Sequence, residues 1–183
     1  MEKYNIVFAD PPWQYRDKRN KHKRMCGGAE SHYKTMTIEE IKDLPVNKIS
    51  DVNCMLFLWV TFPNLQEGLD TIKSWGFKYK TIAFSWIKTN KRRGTPFFGI
   101  GYYTKSNCEV CLLGVKGRPI KKSDNVSSVV FAERREHSRK PEIVRDRIVE
   151  LCGDVPRIEL FAREKVDGWD VWGNEVESDI QLL

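Results

Sequence analysis

Short, almost unbroken apolar runs alternate with polar stretches along this chain. Tyr4-Asn5-Ile6-Val7-Phe8-Ala9 is the first, and Asp10-Pro11-Pro12 ends it; a run of that length stopped by prolines predicts a buried parallel strand. Met55–Val60 (MLFLWV) and Cys108–Val115 have the same character, Val129–Ala132 is a shorter example, and Arg157–Phe161 and Trp169–Trp172 complete the set. Phe77–Ile87 alternates loosely and predicts one or two strands. Helical signals lie between the runs. Thr37 and Glu40 make the capping box of a helix reaching about Leu44. Pro63 opens a helix with Leu65, Leu69 and Ile72 on one face and Gly76 as its stop. Pro141 opens another, with Val144, Ile148 and Leu151 inward and Gly153 as its stop. Strands too apolar for an exposed face, alternating with helices, predict a doubly wound α/β sheet. Residues 14–34 and 90–107 predict two long loops, which in a compact domain usually carry function. No repeat or internal boundary interrupts the pattern, so residues 1–183 predict a single domain.

Composition narrows the class. With 183 residues, 40% of them apolar, the chain can build a core and is not a disordered polymer. No apolar run reaches the roughly 18 residues of a membrane span, and the N-terminus lacks a signal-peptide layout, so no membrane partner is expected. Five cysteines (Cys26, Cys54, Cys108, Cys111, Cys152) are odd in number and scattered. Their one C-x-x-C, Cys108 to Cys111, lies in an apolar strand and has no second pair to complete a zinc site. His32 and His137 have no metal-like spacing either. A reduced protein without metal is expected, cytosolic or nuclear.

The net charge of +6 is distributed unevenly. Residues 16–24 carry +5 (Arg16, Lys18, Arg19, Lys21, Lys23 and Arg24 against Asp17). Residues 88–93 carry +4 (Lys88, Lys91, Arg92, Arg93), as do residues 116–122 (Lys116, Arg118, Lys121, Lys122), which leaves −7 for the rest. Basic clusters on an acidic body point to a polyanion-binding face.

In open α/β sheets, ligands bind beyond the carboxyl ends of the strands. That rule singles out Asp10-Pro11-Pro12-Trp13 and Ala162-Arg163-Glu164, both polar exits from buried strands. Consecutive prolines fix φ and remove two N–H donors, so the first exit offers carbonyl acceptors, one carboxylate and the flat face of Trp13. Acceptors beside a stacking surface suit a planar ligand bearing an amino group.

These residues also resemble those of a known family. Ala9-Asp10-Pro11-Pro12-Trp13, Tyr33-Lys34-Thr35-Met36, Phe57-Leu58-Trp59-Val60-Thr61, Trp86-Ile87-Lys88-Thr89-Asn90, Glu109-Val110-Cys111-Leu112-Leu113-Gly114-Val115-Lys116-Gly117, Ser138-Arg139-Lys140-Pro141, and Glu159-Leu160-Phe161-Ala162-Arg163 with Trp172-Gly173-Asn174 stand in its order over nearly the whole chain. The chain resembles the N6-adenine methyltransferases named after the seventy-kilodalton subunit of the eukaryotic mRNA adenosine methyltransferase. The resemblance implies a Rossmann-like S-adenosylmethionine-dependent methyltransferase fold with permuted motifs, the catalytic strand first and the donor-binding strand late. It implies S-adenosylmethionine as donor, S-adenosylhomocysteine as product and no metal.

By the same resemblance, Asp10, Pro11, Pro12 and Trp13 form the catalytic turn, where the Asp10 carboxylate and the Pro11 carbonyl each accept one N6–H. Tyr33, Trp59, Trp86, Glu109 and Lys140 are candidates for the base pocket. Asp10, Ser138, Lys140, Phe161, Arg163, Asn174 and Glu175 are candidates for the donor site. Glu175 departs from the glutamine of the mRNA enzyme, and Lys165 stands where that enzyme has a donor-contacting histidine, so that contact is not carried over. How the donor adenine ring is held is left open. Arg16, Lys18, Arg19, Lys21, Lys23, Arg24, Lys91, Arg92 and Arg93 are expected at a nucleic-acid rim, and Phe97, Phe98, Tyr102 and Tyr103 are candidates for stacking on exposed bases.

DNA is the expected substrate, and the same methylation of RNA is the near alternative. A silent nucleic-acid-binding scaffold, or transfer to another planar nitrogen such as a protein glutamine amide, are the other readings. A homodimer or a partner subunit fits either of the first two.

Overall fold

The computed structural model describes residues 3–14, 36–91, 94–101, 103–134 and 139–182. In chain order the strands are β1 (Tyr4–Ala9), β2 (Ser50–Val60), β3 (Lys78–Thr89), β4 (Cys108–Lys116), β5 (Val129–Glu133), β6 (Arg157–Leu160) and β7 (Asp170–Trp172). The helices are α1 (Ile38–Asp43), α2 (Val46–Ile49), α3 (Leu65–Ser74) and α4 (Ile143–Cys152). Among the described residues the strands make one sheet in the order β5-β3-β4-β2-β1-β6-β7.

The apolar runs are unbroken because helices cover both faces of the sheet. Val7, Ala9, Leu56, Leu58 and Val60 pack with α1 and α3 on one side. Ile6, Phe8, Phe57 and Trp59 pack with Val144 and Ile148 of α4 on the other. The permuted order is visible in the sheet: β1 comes first in the chain, yet pairs in parallel with β6 near the C-terminus as well as with β2.

β4 runs against the other strands, pairing antiparallel with both β2 and β3. Periodicity alone did not reveal this. A parallel return from β3 would need a crossover helix, and the 90–107 loop supplies none among its described residues. The consequence governs the site. The first residues of β4 meet the carboxyl ends of β1, β2, β3 and β6 at one edge of the sheet.

The capping box is present as expected, with Thr37 Oγ1 accepting from Glu40 N at 3.2 Å and Glu40 Oε2 accepting from Thr37 N at 2.7 Å. Three details differ from the sequence reading. Val46–Ile49 forms a one-turn helix, placing Val46 and Ile49 in the core. The segment at Pro63 starts as a 3₁₀ turn (Phe62–Asn64), which rotates Leu65 outward to 36% exposure. Gly68 takes the inward position instead: a Cβ there would come within 2.6 Å of Val60 Cγ1, so only glycine lets α3 lie this close to β2. Leu151 is half-buried rather than inward.

Leu58 is fully buried on β2, flanked by β1 and β4. Leu58→Ala is expected to cost about 3 kcal/mol, as transfer energy plus a cavity that flanking strands cannot close. Urea denaturation followed by tryptophan fluorescence measures it.

Candidate active site

The chain leaves β1 at Asp10 and turns at once. Pro11 O accepts from Trp13 N at 2.8 Å, and Pro12 O accepts from Met36 N at 3.2 Å. Prolines have no N–H to give, so the turn's carbonyls carry its bonding. Trp13 is 5% exposed, and its indole Nε1 donates to the Trp59 carbonyl at 2.9 Å. The sequence reading gave Trp13 an open stacking face, and the structure corrects this. The ring lies in the core on the α1–α3 side, where its N–H finds the carbonyl near the end of β2. Trp13 therefore braces the turn that presents Asp10.

From Asp10 a row of alternating charges crosses the edge. Lys140 Nζ lies 2.6 Å from Asp10 Oδ2 and 3.4 Å from Glu109 Oε2, and Lys88 Nζ lies 2.5 Å from Glu109 Oε1. Burial pushes the Asp10 carboxyl above its usual range, against the opposing pull of Lys140. Burial would raise Glu109 too, but Lys140 and Lys88 together hold it below its usual range. Burial opposes the charge on Lys140, and the two carboxylates outweigh that and hold it above its ordinary value.

Two tryptophans floor this row. Lys140 Nζ stands 5.6 Å from the Trp59 ring centre and Lys88 Nζ 5.0 Å from that of Trp86, and the two rings meet edge to face. Trp86 Nε1 donates to the Ala132 carbonyl at 3.0 Å, whereas Trp59 Nε1 is buried with no hydrogen-bond partner among the described residues.

A second network adjoins the first. Arg145 grips Glu159 with two bonds, Nε to Oε2 at 2.7 Å and Nη2 to Oε1 at 3.0 Å. Arg139 Nη2 reaches Glu164 at 2.7 Å, and Arg163 Nε pairs with Glu175 at 3.0 Å. These residues, with Asp10, Lys140 and Phe161, line a cavity of about 230 Å³. Phe161 adopts φ +62° directly after β6, a left-handed conformation costly for an aromatic residue and held here beside the cavity. Its ring packs edge to face on Trp172.

The structure thus brings together Asp10, Trp59, Trp86, Glu109 and Lys140 in one cluster, and Phe161, Arg163 and Glu175 around the cavity. Asn174 is exposed after β7, outside the cavity wall. Lys91 is exposed just beyond β3. Tyr33, Ser138, Arg16, Lys18, Arg19, Lys21, Lys23, Arg24, Arg92, Arg93 and Tyr102 lie outside the described residues.

Two basic windows change meaning. Lys88 is no free surface charge, since Glu109 neutralises it. Lys116 donates to the Asn47 and Ser50 carbonyls and the Ser50 hydroxyl, at the edge of the sheet opposite Asp10. Sequence reasoning missed the Arg145–Glu159 pair. The signal was there: Glu159 sits between Ile158 and Leu160 in a buried strand, and Arg145 lies beside Val144 on α4. A carboxylate buried that way requires a cation. Among the described residues no cluster of His, Cys, Asp or Glu could hold a metal ion, and no helix is long and apolar enough to cross a membrane.

Residues 4–175 match the MT-A70 family model. The chain is 34% identical over 190 residues to the type II methyltransferase M.MunI of a Mycoplasma species, covering 96% of this chain and 78% of that protein. It is 30% identical over 187 residues to the N(6)-adenosine-methyltransferase catalytic subunit METTL3 of Homo sapiens, covering all of this chain but 30% of that protein. A probable N(6)-adenosine-methyltransferase MT-A70-like protein of Oryza sativa is 29% identical, and this chain spans 23% of its length.

Lys140→Met removes the cation that Asp10 and Glu109 share. The Asp10 carboxyl, already raised by burial, then stands further above its unfolded value, so the penalty on folding grows as the pH climbs from the unfolded value to the raised folded one and is full above it. The variant is expected to lose about 3 kcal/mol at pH 8, where the Asp10 carboxylate lacks its cation and Glu109 keeps Lys88 alone. The deficit should shrink as the pH falls toward about 4, the ordinary carboxylate range, where the unfolded chain is protonated as well. Urea titrations of both proteins at the two pH values check this; an equal deficit at both would show that the carboxylates do not depend on Lys140.

Proposed function

The chain belongs to the MT-A70 family and is a methyltransferase, and from that premise we propose that it methylates N6 of adenine in DNA, with S-adenosylmethionine as donor. The observation that carries the reading is the Asp10–Lys140–Glu109 arrangement, whose Asp10 and Lys140 line a mixed-charge cavity and whose Asp10 opens the D-P-P-W turn suited to an amino group. The relation to M.MunI spans most of that protein, and the name of a type II methyltransferase supports DNA over RNA.

The cavity fits a zwitterionic donor end. Lys140 and Arg139 offer cations for a carboxylate, and Asp10 and Glu164 offer anions for an ammonium. Phe161 supplies an aromatic wall, and the Arg163–Glu175 pair offers both donors and acceptors for hydroxyl groups. When bound, S-adenosylmethionine supplies an electrophilic methyl group.

The chain's residues do the rest by positioning. Adenine N6 is a poor nucleophile because its lone pair is spread into the ring. Asp10 keeps a carboxylate oxygen beyond the one that Lys140 engages, and the Pro11 carbonyl keeps a second lone pair beyond its bond to Trp13. Each can accept one N6–H, which favours a pyramidal nitrogen and aims its lone pair. The Lys140 charge and the stiff proline turn set these acceptors in place before substrate arrives, so no reorganisation is needed during transfer. Glu109, anchored by Lys88, faces the same edge and suits the edge of the bound base. On this reading residues 1–183 act as one methyltransferase domain.

The test is transfer of a labelled methyl group to matched single- and double-stranded DNA and RNA, with Asp10→Ala as control. Transfer to DNA is expected, and the variant should lose at least about 10²-fold in rate with donor binding reduced less. Preference for RNA would overturn the choice of DNA, and transfer to none would favour a scaffold. Changing Lys18, Arg19, Lys21 and Lys23 together to Ala is expected to weaken DNA binding and flatten its dependence on salt by up to about four phosphate contacts. Titration of donor and of DNA at two salt concentrations separates the effects; an equal fall in donor affinity would make those residues structural.

A further inference from the structure

Between β3 and β4 the chain forms a hairpin that rises from the catalytic edge. Its base is tied down. Phe97 N donates to the Lys88 carbonyl at 2.7 Å, and Asn107 Nδ2 donates to the same carbonyl at 3.1 Å. Asn90 Nδ2 reaches the Thr95 hydroxyl and the Pro96 carbonyl, each at 3.2 Å, and the Arg134 guanidinium lies 4.4 Å from the Phe97 ring centre. Lys88 in turn holds Glu109, which shares Lys140 with Asp10. The hairpin is therefore anchored to the charge row itself.

Its tip differs from its base. Gly99 N bonds the Ser106 carbonyl at 2.6 Å, and the turn beyond is tight enough that a Cβ on Gly101 would lie 1.7 Å from the Thr104 carbonyl oxygen. Ile100 sits between these glycines and is fully exposed, and Phe98 is 62% exposed. Ile100 buries nothing in the described fold, and with the exposed Phe98 it gives the anchored turn an apolar tip open to a contact.

The charge around it selects the partner. Residues 90–107 contain four basic residues and no acidic one. A second copy of the hairpin would set like charges against each other, whereas a polyanion is attracted. A target adenine inside a duplex must leave the stack to reach Asp10, and an inserted apolar side chain is one way to hold the vacated space.

We propose that Ile100, with Phe98 beside it, is a wedge that enters a DNA duplex next to the target adenine as the base turns out toward Asp10. This rests on adenine in DNA being the substrate. The tip needs a rigid mount to transmit that insertion, and the bonds to the Lys88 carbonyl provide it.

The test compares Ile100→Ala, Ile100→Leu and the wild type on three DNAs of one sequence: a matched duplex, a duplex with an abasic site opposite the adenine, and the single strand. Ile100→Ala is expected to lose about tenfold in kcat/KM on the matched duplex, less on the abasic duplex, and under about twofold on the single strand, because those substrates need little or no unstacking. Ile100→Leu should keep most of the duplex activity. 2-Aminopurine at the target position gives a readout independent of transfer, and its fluorescence rise on duplex binding should be smaller with Ile100→Ala.

Equal losses on all three DNAs, or none on the duplex, would overturn the wedge while leaving DNA methylation standing. So would a wild type active on single strands alone, or a changed sedimentation coefficient, which would make the tip a protein contact. A wild type that methylates no DNA would overturn the functional reading itself, and the wedge with it.

Discussion

The site depends on one lysine shared by two carboxylates. Lys140 touches both Asp10 and Glu109, and each of the three groups is costly to bury without the others. That sharing explains the surrounding geometry. Asp10 must leave β1 at a fixed angle, which the proline turn and the buried Trp13 brace enforce. Glu109 must start its strand at the same edge, which requires β4 to run backwards. Lys140 must precede α4 at a set height, and Pro141, buried directly after it, begins that segment. Lys88 closes the row on the far side by adding the second cation that Glu109 needs. With three carboxyl–ammonium contacts the row is nearly neutral in sum, yet it presents a pre-set field where an amino group would arrive.

Most of the fold was legible because buried strands leave a strong mark. β1, β2 and β4 are covered on both faces, so their apolar runs stood out regardless of partner or direction. The capping box at Thr37 was equally plain, because both reciprocal bonds use side chains fixed by spacing. Direction was not legible in β4, since a strand's sequence does not record which way its neighbours run. The one-turn helix Val46–Ile49 was missed because four residues carry too little periodicity to separate from a turn. Leu65 was misplaced for a related reason: a 3₁₀ start shifts the phase of the helix, and the close approach that made Gly68 the inward residue is a tertiary fact.

In the site, the same division holds. The D-P-P-W turn was visible because its chemistry is local. Lys88 was visible but misread, as a charge beside Lys91 in a basic window, because nothing local shows that Glu109 lies across the strand pair from it. Arg145 and Glu159 could have been matched from the principle that a carboxylate flanked by Ile and Leu in a buried strand needs a cation. The sequence offers many arginines, however, and only packing of α4 on the sheet selects Arg145. Trp13 was assigned correctly to the turn but with the wrong face, since an indole both fills a core and needs an acceptor, and the Trp59 carbonyl satisfies both demands at once.

These placements change what the basic windows mean for a polyanion. Counted along the chain, residues 88–93 and 116–122 carry equal charge. In space they differ. Lys116 is spent on carbonyls that tie β4 to the segment before β2, and Lys121 is paired with Asp124, both remote from Asp10. Lys88 is cancelled by Glu109. Among the described residues of those windows and the hairpin, Lys91 and Lys105 are exposed on the catalytic side, with Arg134 beside the hairpin. Attraction to those residues would draw a polyanion to the edge of the sheet that holds Asp10, whereas attraction to the opposite edge would carry it away. Screening limits each exposed charge to about 8–10 Å at physiological salt, so position, and not the total of +6, decides which edge attracts a polyanion.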